Sequence, residues 1–190
     1  MEIGQFIFWG GFILLLLYVI IIYNALVRIK HNVDAAWSNI EVLLKQRHDE
    51  LPKLVAVCRE YANFEQQTLE KVMQARAAVA DARAQGDIDS LGSAEGALRL
   101  GLGNLFAVAE AYPELKANEN FQHLQVRISG LENSIADRRE FYNDSVNINN
   151  VSIEQFPDLI VAKMFGFAAK KLLYFPLQET ADVDVGKLFT

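Results

Sequence analysis

Apolar side chains fill residues 3–27 without a single charge among them, and the pattern then changes character. Beyond Asn32 the apolar positions thin to a spaced seam: Val33, Trp37, Ile40, Leu44, Leu51, Leu54, Cys58, Tyr61, Val72 and Val79. Steps of three and four are the period of helices that pack at a shallow angle, as in a coiled coil. The seam predicts one helix to about residue 84, stopped at Gln85-Gly86-Asp87, with Pro52 as a kink because proline removes a backbone donor. A second helix is expected over residues 90–111, on Leu91, Leu98, Leu102, Leu105 and Tyr112. Its Gly92, Gly96, Gly101 and Gly103 weaken it or admit a close neighbour. A third, capped by Asn118, carries Leu124, Ile128, Leu131, Ile135, Arg138 and Tyr142, and exits at Asn147, Asn149 and Asn150. A short fourth covers residues 157–165 and stops at Gly166. Alternation of period two, the mark of a strand, does not run long enough for a sheet. The fold class expected is all-α: a transmembrane helix (1–27), an antiparallel four-helix bundle with a long proline-kinked first helix (28–180), and an acidic tail (181–190).

The first segment is long enough to span about 30 Å of hydrocarbon. The 13 strongly apolar residues of its runs 6–8, 12–17 and 19–22 favour the bilayer by about 4 to 8 kcal/mol on an insertion scale. It lacks the basic start and small-residue exit of a cleaved signal, so a retained anchor is expected. No Lys or Arg precedes it, whereas Arg28, Lys30, Lys45 and Arg47 follow. That asymmetry places the amino terminus outside and the remainder in the cytoplasm.

Charge and composition narrow the chemistry. The 190 residues carry 18 basic and 24 acidic side chains, a net charge of −6, which disfavours nucleic acid as a partner. A single cysteine, Cys58, rules out an internal disulfide and reads as a small buried hydrophobe. A di-iron bundle needs Glu three positions before each ligating His, but Arg28, Lys45 and Asn120 stand there before His31, His48 and His123. Nucleophile elbow and phosphate loop are likewise missing, so neither a catalytic site nor a cofactor is expected. Arg47 and Glu65 interrupt the first seam, and with Arg138 or Arg139 they read as a structural charge network. Residues 157–175, apolar with Lys163, Lys170 and Lys171, fit either a bundle helix or a segment lying on an anionic membrane surface.

These residues resemble the LemA family of bacterial membrane proteins over nearly the whole chain. Tyr23-Asn24 with Leu26-Val27, residues 51–55 around Pro52, Tyr61-Ala62 with Glu65, and above all residues 109–118 (AEAYPELKAN) carry the likeness. Phe121, Leu124, Glu132-Asn133, Ile135-Ala136, Arg139, Tyr142-Asn143, Phe156-Pro157 and residues 165–167 continue it. Lys53, Phe64 and Ile148 depart from the family's common Asn, His and Tyr. The resemblance implies a single-pass protein of the bacterial inner membrane with a cytoplasmic four-helix bundle, and one family branch is tied to magnetosome membranes. The expected role is a non-enzymatic scaffold or adaptor, self-assembling, with membrane lipid and other membrane proteins as partners. Membrane remodelling and a cryptic enzyme are the alternatives.

Overall fold

The computed structural model describes residues 2–61 and 65–175; the 181–190 tail lies outside them. Among these described residues six helices follow in order: α1 Glu2–Arg59, α2 Gln66–Gln85, α3 Ile88–Ala109, α4 Pro113–Lys116, α5 Glu119–Glu154 and α6 Asp158–Phe165. Among the described residues there are no strands, so the chain is all-helical. By contact it divides into two compact units. One holds the residues up to Glu41 with Arg138–Leu172; the other holds Val42–Asp137 with the stretch that begins at Leu173.

α1 runs unbroken from the apolar run into the seam, with Pro52 inside it. It contains a segment long and apolar enough to cross a membrane, and little of that segment is buried. The large side chains of its first five turns, from Ile3 to Ile21, stand exposed except Val19, which is half-buried. Burial begins at Ile22 and Leu26, which pack with Ile153, Val161 and Ala162.

The first seam helix ends earlier than its spacing predicts. The amides of Glu60 and Tyr61 close three-residue turns onto the carbonyls of Val57 and Cys58. Tyr61 then leaves the helical path, its hydroxyl accepting from Asn118 Nδ2 at 3.2 Å. The seam resumes in α2, where Leu69, Val72 and Val79 are buried. Gly86, at φ 66°, caps α2 in the left-handed region that glycine enters without strain. Asp87 caps α3 by accepting from the amides of Asp89 and Ser90.

Asn118 caps α5, its Oδ1 accepting from the Phe121 amide at 3.1 Å. The asparagines expected to end this helix do not end it: α5 continues to Glu154. Asn149 and Asn150 instead turn their amides onto a neighbouring strap. Asn150 Nδ2 donates to the Lys170 carbonyl and its Oδ1 accepts the Lys170 amide, both at 2.9 Å. Asn149 Nδ2 donates to the Ala168 carbonyl. Bonded this way, the side chains no longer compete for the helix backbone. α6 ends at Gly166 (φ 73°), and residues 167–175 are non-helical. The 157–175 segment is therefore a short helix plus an extended strap.

In the second unit that strap reaches α3 at Gly92. A Cβ placed on Gly92 would collide with the backbone carbonyl of Tyr174. Backbone offers no rotamer to relieve the overlap, so Gly92→Ala is expected to cost about 1–3 kcal/mol. Thermal unfolding of the full chain in detergent measures it. An unshifted melting temperature would mean that this contact carries no weight.

Candidate functional site

The second unit concentrates its buried charge on one stretch of α1. Seam spacing from Leu44 to Leu51 places residue 47 on the inner face. Arg47 is only 1% exposed. Its Nη2 donates to Glu95 Oε1 on α3 at 2.5 Å, and its Nη1 to Glu132 Oε1 on α5 at 2.6 Å. The Glu95 side chain is as deeply buried as Arg47, while that of Glu132 is 18% exposed. One guanidinium thus ties three helices together. Its Nε and that of Arg83 are buried without a hydrogen-bond partner among the described residues.

The electrostatics follow from sharing one cation between two carboxylates. Burial alone would lower the Arg47 pKa, but Glu95 and Glu132 outweigh it and hold the guanidinium protonated. Burial pushes the Glu95 carboxyl above its ordinary range, Arg47 pulls against this, and Glu132 adds to the rise.

The same stretch of α1 contains the gap left by proline. Pro52 has no N–H to donate to the carbonyl four residues back, and that carbonyl belongs to His48. Arg76 of α2 supplies the missing donor: its Nε bonds His48 O at 2.9 Å. Its Nη2 lies 2.6 Å from His48 Nε2 and donates to the neutral ring. Burial first, then Arg76, lowers the His48 pKa and favours that neutral form. Two residues on, Glu50 accepts from Lys53 Nζ at 2.9 Å and from Arg127 Nε at 2.8 Å. The bond from Lys53, above all, holds the Glu50 carboxyl below its usual range. Glu50, Lys53 and Arg127 line an open groove with Val57, Asn120, His123 and Leu124.

The residues singled out from the sequence have separate fates. Arg47 is at the centre of the buried cluster. Glu65 is exposed just before α2 and accepts from Thr68 Oγ1 at 3.1 Å. Arg138 is exposed and Arg139 half-buried, both in the other unit. The partners of Arg47, Glu95 and Glu132, escaped the seam reading. Glu95 sits one turn beyond Leu91 and one before Leu98, so its helical phase marked it as inward-facing. Cys58 is buried, its thiol pushed up to about 12 by burial, and behaves as a hydrophobe. Among the described residues no three His, Cys, Asp or Glu side chains gather to hold a metal.

Two outcomes are expected. A carboxyl whose pKa is raised by folding stabilises less as pH climbs from its ordinary value of 4.5 through the folded one. The melting temperature of the wild type relative to Glu95→Gln should therefore fall as pH rises through that window; parallel curves would contradict a buried, strained carboxylate. Separately, Arg76→Ala should cost about 1–3 kcal/mol by orphaning the His48 carbonyl. In a Pro52→Ala background, which restores the backbone N–H, that cost should shrink. A double-mutant cycle on thermal melts reads the coupling, and strict additivity would deny it.

A family model described as the LemA family matches residues 36–186. Magnetosome protein MamQ of Magnetospirillum gryphiswaldense is 26% identical, over 86% of this chain and 68% of that protein. Magnetosome protein MamQ 2 of Paramagnetospirillum magneticum matches at the same identity and coverage. Protein LemA of Metamycoplasma hominis is 28% identical, over 87% of this chain and 74% of its own length. The matched region takes in α2 to α6 and the part of α1 that holds Arg47 and Pro52, and on that match the chain belongs to the LemA family.

Proposed function

We propose that this chain is a membrane-anchored, non-enzymatic scaffold or adaptor that self-assembles at the cytoplasmic face of the bacterial inner membrane. In this reading the first two dozen residues cross the bilayer with the amino terminus outside. The rest packs as an antiparallel four-helix bundle, and its partners are lipid, further copies of the chain and other membrane proteins. The observation that carries the reading is the contrast along α1. Its first five turns expose nearly every large apolar side chain, and the same helix continues into a packed interior. Water does not tolerate such a surface, whereas hydrocarbon requires it.

Self-assembly draws support from α5. Phe141, Ile148 and Val151 are all exposed, at spacings of seven and three that put them on one face. Such a stripe suits the matching stripe of a second copy. The likeness to the MamQ magnetosome proteins favours a second reading, in which assembled copies shape the membrane itself. Liposome deformation by purified protein distinguishes it from passive tethering.

Ile148→Cys tests assembly directly, because the native Cys58 is buried and unreactive. In membranes treated with a short bifunctional maleimide, a dimer band should form; a purely monomeric chain would refute self-assembly. Carbonate extraction and protease treatment of spheroplasts test the anchor and its orientation. The protein should stay in the pellet with its carboxyl-terminal part protected.

A further inference from the structure

One cavity of the first unit plays no part in the charged cluster. It encloses about 480 Å³, within the usual range of small-molecule sites. Tyr23, Val27, Lys30 and His31 of α1 line one wall, with Asn149 of α5 and the 165–168 turn and Lys170 completing it. The four α1 positions are spaced 4, 3 and 1, so they share a helix face. Their chemistry is ordered along that face. The Tyr23 ring packs on Phe165 at 4.8 Å and on Phe167 at 5.9 Å. Val27 comes next, then Lys30 and His31 one turn farther from the apolar run.

That order, apolar and then cationic, complements a phospholipid read from its acyl chains to its anionic phosphate. The depth agrees as well. The uncharged run ends at Val27, and Lys30 lies about 4.5 Å beyond it at 1.5 Å per residue. A headgroup layer is about 5–7 Å thick on each side of the hydrocarbon. Lys170 pairs with Asp34, whose Oδ1 lies 3.6 Å from its Nζ. Lys30 forms no ion pair among the described residues. The bonds from Asn149 and Asn150 to the 168–170 backbone fix the strap that carries Lys170. The wall is therefore built rather than left to a loose surface chain.

We propose that this cavity binds the phosphate headgroup of an anionic phospholipid at the level where α1 leaves the bilayer. Lys30 and Lys170 supply the positive charge and His31 a ring N–H. The Tyr23, Phe165 and Phe167 rings cover the glycerol and the first acyl carbons. Aromatic rings and cations held together at this depth are the combination that membrane interfaces favour. The site rests on the anchoring reading, since only a chain held in the bilayer brings the cavity to that depth.

Native mass spectrometry of the full chain in mild detergent tests it, with dioleoyl phosphatidylglycerol, dioleoyl phosphatidylcholine and inorganic phosphate as separate probes. Phosphatidylglycerol should be retained in preference to phosphatidylcholine. Lys30→Gln combined with Lys170→Gln should bind phosphatidylglycerol about thirtyfold more weakly, given two lysines at a charged interface. The corresponding double Arg variant should restore it. Lys30→Gln alone, which leaves the Asp34 pair intact, should show a smaller loss and guards against misfolding of the double variant. Equal retention by wild type and both Gln variants overturns the site. Inorganic phosphate that displaces the lipid at matching concentration overturns the lipid as its source. Carbonate extraction separates the two failures. Wild type that stays in the membrane but shows no preference loses only the site; wild type that washes out loses the anchor and the site together.

Discussion

A guanidinium taken out of water must find its compensation inside the protein, and Arg47 finds it on two other helices. Removing a charge from water costs several kcal/mol unless good hydrogen bonds replace the lost solvent. Glu95 and Glu132 provide those bonds only while α1, α3 and α5 hold one register and one azimuth. A slide of one residue along any of them would separate the ions and leave Arg47 or Glu95 buried without its full set of partners. Apolar seams tolerate such slips far better, because one leucine resembles the next. The cluster is therefore best understood as a device for uniqueness, with hydrophobic burial along Leu44, Leu51, Leu54, Leu98, Leu102, Ile128 and Leu131 providing the bulk of the stability.

Much of this was legible in the residues because period and punctuation are local. The charge-free run, the seam of α1, the left-handed caps at Gly86 and Gly166, and the Asn118 cap all depend on neighbours within one or two turns. Features that depend on distant chain were not legible in the same way. The early end of α1 goes with a hydrogen bond that the Tyr61 hydroxyl accepts from Asn118, 57 residues away. The prolongation of α5 follows from asparagines that bond a strap some 20 residues on. Arg138 continues the three-four count on paper, yet it is exposed while Tyr142 and Val146 are buried. A helix of 3.6 residues per turn drifts away from a strict heptad over that distance.

The candidate sites divide along the same line. Arg47 announced itself by interrupting an apolar seam, whereas its acids did not, since carboxylates at helical positions are ordinary. The cavity of the first unit needed the turn after Gly166 to bring Phe165, Phe167 and Lys170 beside Tyr23 and Lys30. The stop at Gly166 was legible, but nothing in the spacing of residues 167–175 showed that they would run on as a strap bonded to α5. In both cases the functional group was visible and its company was not.

The proline in α1 has a consequence for biosynthesis. Translation delivers Pro52 before Arg76, the residue that bonds the carbonyl the proline leaves open. At ordinary elongation speeds the delay is on the order of seconds. While it lasts, the His48 carbonyl lacks its side-chain donor and the turn before Pro52 is the softer part of the nascent helix. That turn gains its side-chain donor only once α2 has been made and Arg76 is in place.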